Sequence, residues 1–65
     1  MSDKLLLTVP EAAERLGLGR SFTYELVQRG EIASLKLGRA RRVPVAELER
    51  YVERLQSEQV SDGGA

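Results

Sequence analysis

Four cations crowd into seven residues of this 65-residue chain: Lys36, Arg39, Arg41 and Arg42, with no acidic residue among them. Such a cluster repels itself, and a segment meant only for solubility mixes its signs, so the arrangement points to a polyanion such as a phosphate backbone. Guanidinium groups bind phosphate oxygens in pairs and enter narrow minor grooves, and Arg39, beside Gly38, is the best-placed of the four. A second set lies upstream. Arg20, Ser21, Tyr24, Glu25, Gln28 and Arg29 combine donors and acceptors within ten residues, the kinds of side chain that read base edges or hold phosphates. Chemistry of other kinds has little to work with. The chain contains no His and no Cys, which removes disulfides, thiol and imidazole catalysis and nearly every structural zinc site. Glu47, Glu49 and Glu53 alternate with Arg50 and Arg54 and read as a solvated helix face. No enzyme, cofactor or metal site is expected.

These residues need elements to position them. Thr8-Val9-Pro10-Glu11 has the form of a capping box, with Pro early enough to lose no helical hydrogen bond. Val9, Ala12, Ala13 and Leu16 then follow at i, i+3, i+4 and i+7, so the spacing predicts a helix over 9–16 that Gly17 ends. Gly19 opens a second helix from Arg20 to Arg29, closed by Gly30, with Thr23, Leu26 and Val27 on its buried face. Two short helices joined by a turn of about three residues, with Leu18 filling the corner, form a helix-turn-helix unit. Arg20, Ser21, Tyr24, Glu25 and Gln28 fall on the face away from the apolar stripe. Glu11 stands four residues before Arg15 and is expected to pair with it, and Arg29 is read either as a surface ion pair or as a phosphate contact. Tyr24 is equally open as a half-buried aromatic or a phosphate contact, and Phe22 is expected to pack on the hairpin or the first helix in preference to its alternative, a contact with a thymine methyl.

From Ile32 the period changes to two. Leu35 and Leu37 alternate with Ser34 and Lys36, Gly38-Arg39-Ala40-Arg41 reads as a turn, and Arg42 to Val45 returns as a short strand, giving a hairpin with a basic tip. Pro44 cannot donate to a ladder, so the strand must be at an edge or end there. Val45, Leu48, Tyr51, Val52 and Leu55 mark the apolar side of a final amphipathic helix. Residues 57–65, small and polar without apolar periodicity, are expected to form a disordered tail behind a single domain over 1–56. No apolar run reaches the length of a membrane span or a signal-peptide core, and a cytoplasmic, nucleoid-associated protein is expected.

The fold class is therefore mostly α with a small β-hairpin. Short strand, helix, tight turn, helix, basic hairpin and helix follow one another, carried by LLTVPEAAERLGLGRS over 6–21, YELVQRG over 24–30, KLGRARRVP over 36–44 and AELERYV over 46–52. In this order and spacing the chain resembles the excisionase-type helix-turn-helix family, small winged-helix DNA-binding proteins related to the DNA-binding domain of MerR regulators. The resemblance covers about Leu6 to Leu55. It implies a winged helix-turn-helix with double-stranded DNA as partner: helix two, with Arg20, Ser21, Tyr24, Glu25, Gln28 and Arg29, in the major groove, and the wing cations on phosphates or in the adjacent minor groove. It also implies a role as a recombination directionality factor, with an integrase or recombinase and several cooperatively bound copies as partners, or as a small transcriptional regulator. An adaptor that contacts a recombinase without reading DNA is the alternative of another class. The chain departs from the family's pattern at Phe22, usually small and polar, at Thr23, usually aliphatic, and at Glu25, often basic; the first two are expected to turn helix two slightly.

Ten Lys and Arg balance ten Asp and Glu, for zero net charge, but their placement is uneven. Residues 1–14 sum to −2, residues 15–42 to +5 and residues 43–65 to −3. The positive centre coincides with helix two and the hairpin, so neutrality of the whole limits non-specific attraction without opposing a DNA partner.

Overall fold

The computed structural model describes residues 4–63, with side chains up to residue 59. Its elements run β1 (Leu6–Leu7), α1 (Val9–Leu16), α2 (Arg20–Gln28), β2 (Leu35–Leu37), β3 (Ala40–Pro44) and α3 (Val45–Gly63). Three helices surround a small antiparallel sheet of order β1-β3-β2, a winged helix-turn-helix.

Local signals account for the first two helices. The Thr8 hydroxyl accepts from the Glu11 N–H at 3.2 Å and the Glu11 carboxylate accepts from the Thr8 N–H at 2.9 Å, so both halves of the capping box are made. At the other end Gly17 adopts φ 74°, which lets its N–H reach the Glu14 carbonyl and the Leu18 N–H reach the Ala13 carbonyl. This paired closure, a Schellman motif, turns the chain sharply and carries Leu18 onto the core. Helix α2 ends the same way, with the Gly30 N–H on Val27 and the Glu31 N–H on Leu26.

The core gathers one or two side chains from every element but β2: Leu7, Val9, Ala12, Leu26, Val27, Ile32, Val43, Leu48 and Tyr51. Val43 and Ile32 are completely enclosed, and each such aliphatic contributes about 1.5–3 kcal/mol on burial, a large share of a domain this small. Thr23 is 0% exposed on the inner face of α2. Its hydroxyl donates to the Gly19 carbonyl one turn back at 2.8 Å, so the polar group in an aliphatic's place is satisfied within the helix.

Three expectations change. The hairpin turn is two residues long, because Leu37 pairs with Ala40, Lys36 with Arg41 and Leu35 with Arg42. Gly38 takes φ 63° while no residue other than glycine is positive, the arrangement of a type II′ turn whose twist matches that of the strands. Ala40 and Arg41 thus belong to β3. Helix α3 continues to Gly63, so residues 57–63 are helical instead of a disordered tail, and 64–65 lie outside the described residues. An established helix gains one hydrogen bond for each residue added, and 57–62 contain neither Gly nor Pro to stop it. Glu11, finally, pairs with Lys4 at 2.7 Å in place of Arg15, because its carboxylate is already drawn back to the start of the helix by the cap.

Pro44 ends the central strand opposite Leu6. The Val45 N–H donates to the Leu5 carbonyl at 2.9 Å, which makes Leu6–Pro44 a non-hydrogen-bonded pair and points the proline nitrogen to the side where β2 has already stopped.

Candidate nucleic-acid interface

Helix α1 packs on α2, α3, β1 and β3, so α2 and the β2–β3 wing are held by one rigid support. The stripe Thr23-Leu26-Val27 fixes the rotation of α2. At 3.6 residues per turn Ser21, Glu25 and Gln28 fall opposite it, with Arg20 and Tyr24 on one flank and Phe22 and Arg29 on the other. All seven are exposed.

The flank carrying Tyr24 faces the wing. Tyr24 and Gln28 share an open groove of about 570 Å³ with Arg41 and Arg42, floored by Val9 and Val27. Two arginines, a tyrosine and a glutamine thus line it, and no carboxylate does. Both arginines are aimed by short-range bonds: Arg41 donates to the Ser34 hydroxyl at 2.7 Å across the hairpin, and Arg42 donates to the Arg41 carbonyl at 3.0 Å. Each spends only one of its five donors this way, which leaves the remainder for an anion. Lys36 and Arg39 stand exposed at the wing tip. Among the described residues none of the four wing cations, nor Arg20, has a carboxylate within ion-pair distance.

Arg29 differs. It lies between Glu25 at 3.7 Å and Glu31 at 3.9 Å, and Glu31 also holds Arg54 of α3 at 3.1 Å, while Arg54 stacks over the Tyr51 ring. The interface thus loses a charge at the end of α2. The Ser34 anchor and the Glu31 bridge were not evident in the sequence: the first depends on hairpin register and the second joins residues 23 apart. Phe22, expected to pack, is 44% exposed instead, because the same rotation that buries Thr23 turns its neighbour outward.

Among the described residues Glu11 has the one strongly displaced titration. The Lys4 ammonium, followed by the Thr8 N–H, stabilises its carboxylate and lowers its pKa from 4.5 to about 2. It belongs to the cap of α1. No group of His, Cys, Asp and Glu residues that could hold a metal ion occurs among the described residues, nor any helix long and apolar enough to cross a membrane.

Residues 6–56 match the helix-turn-helix domain family. The excisionase of Streptomyces ambofaciens is 44% identical over 48 residues, which make up 74% of this chain and 77% of that protein. This chain belongs to the excisionase-type helix-turn-helix family. A probable excisionase of Saccharopolyspora erythraea is 49% identical over 59 residues, 91% of this chain; the chain spans only 60% of that relative's length. No solved structure matches the chain. Membership in the family accords with the order of the elements.

Proposed function

We propose that this protein binds double-stranded DNA in a sequence-specific manner, with α2 in the major groove and the β2–β3 wing along the neighbouring backbone or minor groove. The groove in which Tyr24 and Gln28 meet Arg41 and Arg42 without any carboxylate carries this reading. A phosphate seated there receives guanidinium, phenol and amide donors, and so sets the register of α2 against the bases. Ser21, Glu25 and Gln28 read base edges: Gln28 matches adenine, and Glu25 accepts from the amino group of cytosine. Arg20 opens α2 with a free positive charge; Lys36 and Arg39 extend the wing. Arg29 contributes to phosphate binding only when Glu25 and Glu31 release it.

Acting without a catalytic step of its own, the protein serves as an architectural factor that directs an integrase towards excision, the reading that its relatives' names favour. In this role several copies bind side by side on the DNA. The deciding measurement is duplex affinity against salt. Neutralising about five phosphates gives log affinity a slope near −4 to −5 against log salt, and an absence of salt-dependent duplex binding overturns the proposal in favour of an adaptor role. Addition of the protein to an integrase and attachment-site DNA from the same element is expected to favour excision; unchanged recombination leaves transcriptional control as the role.

A further inference from the structure

Phe22 is the only Phe of the chain, and it stands 44% exposed in the first turn of a helix whose other outward residues are polar. It belongs neither to the core cluster nor to the partly buried side chains packed against it. The buried stripe of α2 consists of Thr23, Leu26 and Val27 and does not include it. Solvent gains nothing from an aromatic ring, and keeping one out of the core forgoes its large burial energy. Its neighbours on α2 are informative: Ser21 precedes it, and Glu25 lies one turn on, with both exposed. The first turn of a recognition helix is the part that reaches base edges. In the major groove only one base carries an apolar group, the C5 methyl of thymine.

From this juxtaposition we infer that Phe22 is a specificity-determining residue that reads a thymine methyl group. The inference rests on the DNA reading above and adds a base class to it. The ring covers the methyl from one flank of α2, and Glu25, one turn further, accepts from a cytosine amino group. Together they make α2 a reader of pyrimidine C5 and N4 positions, while Tyr24 on the opposite flank, with Gln28 beside it, lines the wing-side groove.

Uracil tests the contact directly, because it differs from thymine by that methyl alone and leaves every hydrogen-bonding group in place. The probe is the duplex that the wild-type protein selects from a random pool at fixed salt, with each thymine replaced in turn by deoxyuridine. At one or two positions the wild type is expected to bind about fourfold more weakly, the factor that corresponds to burying one methyl group. Phe22→Ala is expected to bind the thymine duplex more weakly and to be indifferent to uracil at those positions. Phe22→Leu, still apolar, retains most of the discrimination, and unchanged thermal unfolding of both variants shows that the fold is intact. Equal affinity of the wild type for thymine and uracil duplexes overturns the inference without the use of a variant. So does a uracil penalty of the same size in Phe22→Ala. Either result leaves DNA binding standing, whereas failure to select any duplex removes both readings.

Discussion

The wing and the junction between α2 and α3 are similarly rich in arginine, yet they treat its charge in opposite ways. In the wing, Arg41 and Arg42 are steadied by a hydroxyl and a carbonyl, which orient a guanidinium without neutralising it. At the junction, Arg29, Arg50 and Arg54 each face a carboxylate from Glu25, Glu31 or Glu47. Neutral acceptors keep a cation available for an external anion; carboxylates consume it. The zero net charge of the chain hides this contrast, and only the first arrangement creates a surface that attracts phosphate.

Replacing charge in the two regions therefore gives different readouts. The largest effect is expected from Arg39→Ala combined with Arg41→Ala: duplex affinity falls on the order of tens of fold near physiological salt, and the salt slope flattens by about one unit for each lost contact. Thermal stability stays within about 0.5 kcal/mol, because both side chains lie outside the core. An unchanged slope breaks the distinction between free and consumed cations.

The converse experiment releases a consumed cation. Glu25→Gln with Glu31→Gln leaves Arg29 without a counter-charge, and affinity for duplex of arbitrary sequence is expected to rise about fivefold, with the slope steeper by up to one unit. A non-specific duplex is the right probe, since Glu25 is itself assigned to base reading. At the junction Arg54→Ala is expected to act on stability alone. An exposed pair contributes about 0.2–1 kcal/mol, visible as a lower urea midpoint with an unaltered salt slope. A change in slope on this substitution would extend the DNA interface to α3.

The last prediction concerns Glu11, an anion paired on the support helix. Its pKa is 4.5 when unperturbed and about 2 in the folded protein, so the folded state binds fewer protons over that interval. The stabilisation is fully present above pH 4.5 and is lost as pH falls towards 2. Glu11→Gln is expected to flatten the dependence of melting temperature on pH over this range by a small amount, and curves of identical shape would refute the pairing.

The bounds of α1 and α2 were readable to within a residue, because their signals are local. A capping box, a left-handed glycine and an apolar stripe each act within about four residues, and together they leave few alternatives. Residues 57–63 were misread for a related reason. Composition reports whether a segment can bury apolar surface, whereas extension of a helix already nucleated upstream needs only one further hydrogen bond for each residue added. The hairpin lay between these cases: two strands and a basic tip were evident, but the length of the turn depended on the φ of Gly38 and on pairing across the wing.

The candidate site divides in the same way. The identity of its cations, the polar face of α2 and the +5 centre between acidic flanks follow from sequence alone, since helical periodicity and charge order need no folded coordinates. Tertiary structure decided which of those cations remain available. Glu31 meets Arg54 over 23 positions, Ser34 reaches Arg41 through strand register, and Phe22 turns outward because Thr23 satisfies its hydroxyl on Gly19 and occupies the inner face. Ion pairing and exposure depend on distances between residues far apart in the chain, and packing around α1 sets those distances.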